Sequence, residues 1–250
     1  MDILQFISGH EVIELLSVDS TNNYAANLFK HGNPAEGTVI LSQEQTHGRG
    51  QRGTVWQSHA GKDLTFSLLL RPNFLPLEHQ FKLSQSVSLA IRDYLEEVTN
   101  KAVTIKWPND ILVNGTKIAG ILIENGISGQ HLDWSTVGIG LNLNQARFES
   151  FRATSMLLVT GNEFEPKTSL AQLLKHLDRR YEELKSLRYK LIEDDYQASL
   201  LNFNVAARYK INQEIVEGTI VGTTSRGLLR LETNAGEREF DLKELEFILD

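Results

Sequence analysis

The segment that decides the fold is residues 106–120, which reads KWPNDILVNGTKIAG. Asn114 and Gly115 both tolerate positive φ angles, and such a pair between two apolar runs is a strong signal for a two-residue hairpin turn. The alternating run 103–107 before the turn and the run 118–124 after it therefore predict adjacent antiparallel strands.

A bend is predicted where Pro108 interrupts the first strand, because proline cannot donate a ladder hydrogen bond. Asn109 and Asp110 follow at this bend, where polar side chains are free to meet a ligand. The Asp110 carboxylate either stabilises the bend through a local backbone bond or serves as an acid, a base or a metal contact. Lys106, beside Trp107, has two interpretations as well: it meets a ligand or it extends into solvent.

Lys117 lies on the returning strand. Strict alternation places it on the same face as Ala119, Ile121 and Ile123. An ammonium group on an apolar face is costly to desolvate unless an anion meets it. Lys117 therefore either binds a carboxylate or phosphate in a pocket, or reaches solvent near the end of the hairpin.

Outward from the hairpin, periodicity predicts both helices and strands. The predicted helices begin at Ser20 or Thr21 and end at Gly32, cover 87–98, and cover 170–184 with Thr168 or Ser169 as cap. Further strands are predicted over 38–42, 64–70 and 136–142. After about Asn202, short β-rich runs separated by turns predict a small all-β unit.

These elements predict an α+β fold. A mixed β-sheet domain flanked by helices is expected over residues 1–202, followed by a small C-terminal β-barrel domain over residues 203–250.

Composition excludes several classes of protein. The 250 residues carry a formal charge of −7, and a general nucleic-acid binder would carry a basic footprint. Cysteine is absent, which excludes disulfides, thiolate metal sites and cysteine nucleophiles. No apolar stretch approaches the roughly 20 residues that span a bilayer, and the first ten residues lack a signal-peptide pattern. We therefore expect a cytoplasmic protein without a membrane partner.

The segment 45–56, QTHGRGQRGTVW, predicts a flexible anion-binding loop. No acidic residue occurs between residues 45 and 62. Glycines let backbone N–H groups approach a ligand, and arginines supply directed donors for phosphate. The alternative is an exposed loop that arginine and glycine keep soluble. The loop lacks the Gly-Lys-Ser/Thr ending of a phosphate-binding P-loop, and no helix pattern follows it as in a dinucleotide site.

Gly138 and Gly140 lie in one predicted strand, which indicates a close approach of the backbone to a ligand or to a neighbouring helix. The seven histidines show no metal-ligand spacing, so no protein metal ligand is predicted. A Gly-x-Ser-x-Gly nucleophile motif is also absent, which argues against a serine hydrolase.

Four segments resemble, in order and spacing, the motifs of biotin protein ligases. They are Ser20–Asn22, Gly48–Gly53 before Trp56, Lys106–Asp110 with Lys117–Gly120, and Gly138–Asn142. The resemblance covers nearly the whole chain, including the small C-terminal β domain. It implies that residues 1–202 are the catalytic domain and that the reaction has two steps. Biotin and ATP give biotinyl-5'-AMP and pyrophosphate, and a carrier lysine then takes the biotinyl group.

The resemblance also assigns roles to residues. Biotin binding falls to Ser20, Thr21, Asn22, Gln45, Arg49, Gly50, Gln51, Lys117 and Gly120. Binding of ATP and the adenylate falls to Arg52, Trp56, Lys106, Asn109 and Asn142. Catalytic roles fall to Lys117, Arg49, Asp110 and Lys106. Among these, Lys117 is expected to stabilise charge without acting as a nucleophile, and Asp110 to help take the proton from the incoming lysine.

Two departures from the family pattern carry expectations. Many ligases have arginine where this chain has Gln51, so retention of the adenylate or closure of the loop is expected to differ. Ser20 already matches the catalytic domain, and a winged helix does not fit in the preceding residues. A ligase without repressor function or DNA partner is therefore expected.

The resemblance implies partners and leaves two rival functions open. The expected acceptor is the biotin carboxyl carrier protein of acetyl-CoA carboxylase or of a related carboxylase, and Mg²⁺ is expected with ATP. Monomer and homodimer both stay open, because edge exposure cannot be read from one sequence. The rivals are a lipoate or octanoyl ligase of the same superfamily and a non-catalytic biotin-binding regulator.

Overall fold

The computed structural model of the chain describes residues 3–7, 9–149 and 152–248, the first of these ranges by its backbone. The helices are α1 (Thr21–His31), α2 (Phe81–Thr99), α3 (Met156–Thr160), α4 (Pro166–Lys185) and α5 (Tyr189–Ser199). The strands of the first sheet are β1 (Ile3–Ile7), β2 (His10–Leu15), β3 (Val39–Ser42), β4 (Asp63–Leu70), β5 (Val103–Lys106), β6 (Asp110–Val113), β7 (Thr116–Ser128) and β8 (His131–Asn142). Those of the second sheet are β9 (Ala206–Ile211), β10 (Glu214–Thr223), β11 (Leu229–Thr233), β12 (Gly236–Phe240) and β13 (Leu245–Phe247).

The first sheet has eight strands in the order β1-β2-β3-β4-β8-β7-β6-β5. Strands β2 and β3 pair in parallel, whereas the other neighbours pair antiparallel, so the sheet is mixed as predicted. The predicted turn at Asn114 and Gly115, whose φ angles are 51° and 76°, joins β6 to β7. The predicted pairing of the run 103–107 with the run 118–124 is wrong, because the chain reverses between Lys106 and Asp110 and β6 lies between β5 and β7. Every residue of β4 is buried, because both faces of the sheet are covered at its centre.

Helices cover the two faces unequally. On one face α1 packs over a small cluster that includes Ala25, Ile40 and Leu69. Leu68 and Leu70 point to the opposite face, since side chains alternate along a strand. There they join the main core, to which α2, α4 and α5 contribute their apolar faces. The face under α1 is therefore the one with room for a site.

The second sheet is antiparallel and has the order β12-β11-β10-β9-β13. It corresponds to the small C-terminal β unit that the sequence predicts, and the fold class α+β is confirmed. The indole Nε1 of Trp107 donates to the Gly227 carbonyl at 2.8 Å and ties this sheet to the first. The predicted domain boundary between residues 202 and 203 lies in the connection from α5 to β9, and it stays a prediction.

One predicted helix start is wrong. Helix α4 begins at Pro166 with Glu165 as its N-cap, and not with Thr168 or Ser169. The Glu165 carboxylate accepts the backbone N–H groups of Lys167 and Thr168, and proline suits the first helical position because it lacks an N–H. The predicted limits of α1, by contrast, are confirmed at Thr21 and Gly32.

No helix within the described ranges combines the length and apolar character needed to cross a bilayer.

A buried ion network joins the three helices of the main core. Arg180 on α4 donates to Asp93 on α2 at 2.8 Å and to Asp195 on α5 at 2.8 Å. Its side chain is 7% exposed and that of Asp93 is 9% exposed. Burial by itself would raise the pKa of Asp93, but the hydrogen bonds and charges of Arg180 and Arg92 bring it below its ordinary value.

Replacement of Arg180 by methionine is expected to lower the free energy of unfolding by about 1.5–3 kcal/mol at pH 7, the range for hydrogen bonds to charged groups. The loss should shrink as the pH falls below 3.8, the ordinary pKa of Asp93. A depressed carboxyl pKa stabilises the folded state above the unfolded pKa, and that contribution disappears once the carboxylate is protonated. The measurement is urea unfolding of the variant and the parent at pH 7 and again at a pH below 3.8.

The control is Arg230→Met, which removes a pair with Glu237 whose side chains are 37% and 43% exposed. An exposed pair contributes about 0–1 kcal/mol. Equal losses in the two variants would contradict the view that burial makes the network stabilising.

Candidate functional site

A cavity of about 360 Å³ lies between the start of α1, the glycine-rich loop and the strands β7 and β8. Twelve of the residues predicted for the site line it: Ser20, Thr21, Asn22, Gln45, Arg49, Gly50, Gln51, Trp56, Asn109, Asp110, Lys117 and Gly120. Segments far apart in the sequence therefore meet at one place on the α1 face of the sheet.

A second cavity of about 880 Å³ adjoins the first. Lys106 and Asn142, two further residues predicted on the nucleotide side, line this second space. Trp56, Asp110 and Lys117 line both cavities. The two spaces therefore meet at a boundary that carries an indole, a carboxylate and an ammonium group.

The start of α1 forms the polar end of the first cavity. Ser20 is the N-cap residue, but its side chain makes no capping bond. The Thr21 N–H instead donates to Gln45 Oε1 at 2.8 Å, so a residue of the loop satisfies the helix terminus. Ser67 Oγ of β4 lies 2.7 Å from Asn22 Oδ1 and 2.8 Å from Thr21 Oγ1. Polar atoms are thus held in fixed positions around this end.

The loop arginine Arg49 is held by a carboxylate of the sheet. Arg49 Nη2 donates to Glu124 Oε1 at 2.7 Å, and Nη1 donates to Asn23 Oδ1 at 2.7 Å. The other Glu124 oxygen accepts from Asn22 Nδ2 at 2.8 Å. Glu124 therefore links the start of α1 to the loop at the rim of the cavity.

The charged group at the boundary of the cavities is a lysine pair around one carboxylate. Lys117 Nζ lies 2.5 Å from Asp110 Oδ1, and Lys106 Nζ lies 3.6 Å from Asp110 Oδ2. Lys117 Nζ also lies 5.6 Å from the centre of the Trp56 ring. The group carries one net positive charge between two partly exposed lysines, which suits an anionic ligand.

The predicted face of Lys117 is wrong, and a β-bulge is the reason. Ile111 pairs with Ala119 but Leu112 pairs with Lys117, so Ile118 is an extra residue in β7. A bulge shifts the alternation of side chains by one position. The Lys117 side chain consequently lies beside Gly120, where a Cβ would be 3.5 Å from its Nζ, and lines the cavity.

The two glycines of β8 leave room for two different neighbours. A Cβ on Gly138 would lie 2.3 Å from Asn22 Oδ1 of α1. A Cβ on Gly140 would lie 2.2 Å from Cε2 of Trp56. The predicted close approach is confirmed, with a helix at the first position and the loop indole at the second.

Three predicted nucleotide-side residues make contacts within the protein. Asn109 Nδ2 donates to the Ile121 carbonyl at 2.8 Å, and Asn142 Nδ2 donates to the Thr154 carbonyl at 2.9 Å. Arg52 lines neither of the two cavities, since its guanidinium turns to Asp241 of the second sheet. The bend at Asp110 follows a cis peptide bond between Trp107 and Pro108.

Sequence reasoning missed several residues of the site, including four that support or enclose it. Ser67 and Glu124 support α1 and the loop, and Leu242 and Lys243 form part of the wall of the first cavity. Glu124 could have been found, because a charged residue at the end of the otherwise apolar strand run 118–124 is unusual and indicates a buried or paired carboxylate. Nothing local distinguishes Leu242 and Lys243, because their position depends on how the second sheet docks.

A buried carboxylate lies behind the second cavity. Asp63 is 4% exposed, and burial raises its pKa above the ordinary value. Its Oδ2 accepts from the His59 N–H at 2.8 Å and from Gln145 Nε2 at 2.5 Å. Because His59 and Gln145 line this cavity, Asp63 holds two parts of its wall together.

Across the part of the chain that the structure describes, no three histidine, aspartate or glutamate side chains gather in a way that could hold an ion. Asp110, the carboxylate of the charged group at the boundary, is paired with Lys117 and Lys106.

Comparison with known proteins agrees with the geometry. Residues 15–142 match the model of the biotin/lipoate A/B protein ligase family. The chain is 30% identical over 216 residues to a biotin–[acetyl-CoA-carboxylase] ligase of Mycobacterium tuberculosis, covering 84% of this chain and 79% of that protein. It is 29% identical over 247 residues to the bifunctional ligase/repressor BirA of Bacillus subtilis, covering 97% of this chain and 74% of that protein.

A solved structure is similar over the same extent. It is the biotin protein ligase from Aquifex aeolicus in complex with biotin and ATP, with a TM-score of 0.78 and 29% identity. The match covers 96% of this chain and 99% of that chain.

A methyl group at position 140 is expected to expel Trp56 from the sheet. In Gly140→Ala the indole must move, because a Cβ atom cannot lie 2.2 Å from Cε2. Trp56 should become more accessible to acrylamide, which quenches tryptophan fluorescence. The contribution of Trp56 is obtained by subtracting the fluorescence of the matching Trp56→Phe protein, both in the parent and in Gly140→Ala. The free energy of unfolding should change by less than about 1 kcal/mol, since the displaced residue belongs to a loop.

The control is Gly32→Ala at the end of α1, where the nearest atom to a Cβ would be 3.4 Å away. Equal quenching of Trp56 in the Gly140→Ala variant and its parent would contradict the packing described here.

Proposed function

This chain belongs to the biotin/lipoate A/B protein ligase family, and we propose that it is an ATP-dependent biotin protein ligase that works through biotinyl-5'-AMP. The observation that carries the proposal is the group at the boundary of the two cavities. There Lys117, Lys106 and Asp110 lie between the smaller first cavity and the larger second one. A carboxylate bound in the first space would meet a phosphate bound in the second at this boundary.

The proposed first step joins the two substrates. A carboxylate oxygen of biotin attacks the α-phosphorus of ATP, the bond to the bridging oxygen breaks, and pyrophosphate leaves. Negative charge grows on the oxygens around the phosphorus. Lys117 is proposed to stabilise this charge and Lys106 to contribute from the nucleotide side, since fixed charges cost no reorganisation during the reaction.

The polar end of the first cavity suits the ureido ring of biotin. Ser20, Thr21 and Asn22 place hydroxyl and amide groups there, and Gln45 and Ser67 fix their orientation. A dithiolane ring, as in lipoate, offers no N–H or carbonyl group to hydrogen-bond at this end of the cavity, whereas the ureido ring offers both. This favours biotin over lipoate or octanoate as the substrate.

The glycine-rich loop is proposed to close over the adenylate. Arg49 and Gly50 line the pocket at its rim, and Trp56 lies at the boundary where the adenine would bind. Asn109, Gly120 and Asn142 are proposed as further contacts of the ligand. Exclusion of water by the closed loop would protect the mixed anhydride from hydrolysis.

Gln51 is proposed to weaken that closure. Its amide lines the first cavity where many ligases present an arginine, and an amide offers no charged fork to a phosphate. Retention of the adenylate is therefore expected to be weaker than in ligases with the arginine.

The proposed second step transfers the biotinyl group. A lysine amine of the carrier attacks the carbonyl carbon of the adenylate, an amide forms, and AMP leaves. Asp110 is proposed to accept the amine proton, because its carboxylate lies at the boundary where the carbonyl would be held. The acceptor is proposed to be the biotin carboxyl carrier protein of acetyl-CoA carboxylase or of a related carboxylase.

Mg²⁺ is proposed to enter with ATP. Magnesium usually keeps several waters and binds through substrate phosphates, so it needs no dedicated set of protein ligands. That fits a site in which the carboxylate at the boundary, Asp110, is paired with two lysines. A homodimer stays a prediction.

The test is pyrophosphate release from ATP with biotin, with lipoate and with neither. We expect release with biotin and transfer of the label to a carrier domain with its target lysine, but none to the same domain with that lysine changed to arginine. Release with lipoate but not with biotin would support the lipoate ligase. Biotin binding without release by folded protein would support the non-catalytic regulator.

Lys117→Ala is expected to lower adenylate formation at least tenfold, since one charge-assisted contact contributes about 1.5–3 kcal/mol. The measurement is the rate of pyrophosphate release at saturating biotin and ATP.

The control is Lys190→Ala. Lys190 also has an aspartate partner at 2.5 Å, in an exposed pair on α5. Turnover that is unchanged in the Lys117 variant would show that the boundary group does not take part in the chemistry.

A further inference from the structure

Arg52 connects the glycine-rich loop to the second sheet. Its Nη2 donates to Asp241 Oδ2 at 2.7 Å, and its Nη1 donates to the Leu242 carbonyl at 2.5 Å. In return its own carbonyl accepts from Lys243 Nζ at 3.2 Å. Three hydrogen bonds therefore join the loop at Arg52 to the turn between β12 and β13.

The turn holds its shape by its own bonds. Asp241 Oδ1 accepts the Leu242 N–H at 2.6 Å, and the Asp241 N–H donates to Glu244 Oε2 at 2.7 Å. Asp241 thus uses one carboxylate oxygen within the turn and presents the other to Arg52. The partner of Arg52 is preorganised, so the pair loses less side-chain entropy on forming.

The same turn forms part of the wall of the first cavity. Leu242 and Lys243 line that cavity together with Gln51, the residue before Arg52. Any motion that separates Arg52 from Asp241 would therefore open the cavity on this side. Since Gln51 cannot hold a phosphate with a charged group, closure depends more on contacts made elsewhere by the loop.

The strength of the pair suits a contact that opens in each turnover. The side chains of Arg52 and Asp241 are 44% and 55% exposed. An exposed ion pair changes an equilibrium by about fivefold at most. A contact of that strength biases the loop towards closure without locking it.

We propose that Arg52 is a positioning residue, and that Asp241 of the C-terminal sheet holds it so that the loop stays closed over the acyl-adenylate. This inference rests on the proposed function. It replaces the sequence-based prediction that Arg52 binds the nucleotide, because Arg52 lines neither of the two cavities and its guanidinium pairs with Asp241.

The test measures the release of preformed adenylate. Protein is loaded with radiolabelled biotin and ATP, excess unlabelled biotin is added, and the label that stays bound is followed over time. Asp241→Asn and Arg52→Gln are each expected to release the adenylate about fivefold faster than the parent. The KM for ATP and the rate of adenylate formation should change by less than twofold.

A charge swap gives a second, independent readout. Arg52→Asp combined with Asp241→Arg is expected to recover part of the slow release that either single reversal loses. The control is Glu237→Gln, which removes an exposed pair with Arg230 within the same sheet and should leave release unchanged. Thermal unfolding of each variant reports whether the fold is intact.

Three outcomes overturn the inference. The first is release of the adenylate at the parental rate from folded Asp241→Asn. The second is a charge-swap variant that releases the adenylate as fast as the two single charge-reversal variants. The third is a raised KM for ATP in Arg52→Gln with no change in Asp241→Asn, which would assign Arg52 to the nucleotide. A parent that forms no adenylate would instead reject the proposed function.

Discussion

The site depends on a sheet surface that has no side chains at two positions of its central strand β8. Gly138 and Gly140 leave the backbone bare, and Asn22 of α1 and Trp56 of the loop occupy the space. A larger residue at either position would push the helix or the loop away from the sheet. The first cavity exists because both elements approach the strands this closely and enclose a space between them.

Carboxylates organise the cations of the site. Glu124 holds Arg49, Asp110 holds Lys117 and Lys106, and Asp241 holds Arg52. The protein is acidic overall, yet the loop itself contains no carboxylate between residues 45 and 62. Arg49 and Arg52 of the loop therefore take their partners from other elements. These carboxylates keep the cations oriented before an anionic ligand binds, but they also compete with that ligand for the cations.

Different parts of the molecule reach the same space. The start of α1 supplies polar groups, the hairpin of β6 and β7 supplies Lys117 and Asp110, and the turn between β12 and β13 supplies Leu242 and Lys243. The second sheet is thus part of the site and not an appendage. The hydrogen bond from Trp107 to the Gly227 carbonyl attaches it next to β5, and the contacts of Arg52 attach it to the glycine-rich loop.

Local patterns in the sequence predicted the elements and most residues of the site. The Asn114–Gly115 turn and the limits of α1 follow from backbone preferences that act over a few residues. The face of Lys117 was predicted wrongly, because a bulge is a property of two paired strands and one strand's alternation does not reveal it. The N-cap of α4 was also wrong, since Glu165 was not considered beside the more common capping residues.

Residue types and short spacings were enough to predict the α+β class, the glycine positions and the gathering of cations and glycines in one loop. Tertiary structure decided which carboxylate each cation meets and which face Lys117 occupies. It also decided that Arg52 turns to the second sheet. The physical reason is that such contacts join residues distant along the chain, such as Arg49 with Glu124 and Arg52 with Asp241, whose proximity exists only once the sheets have docked.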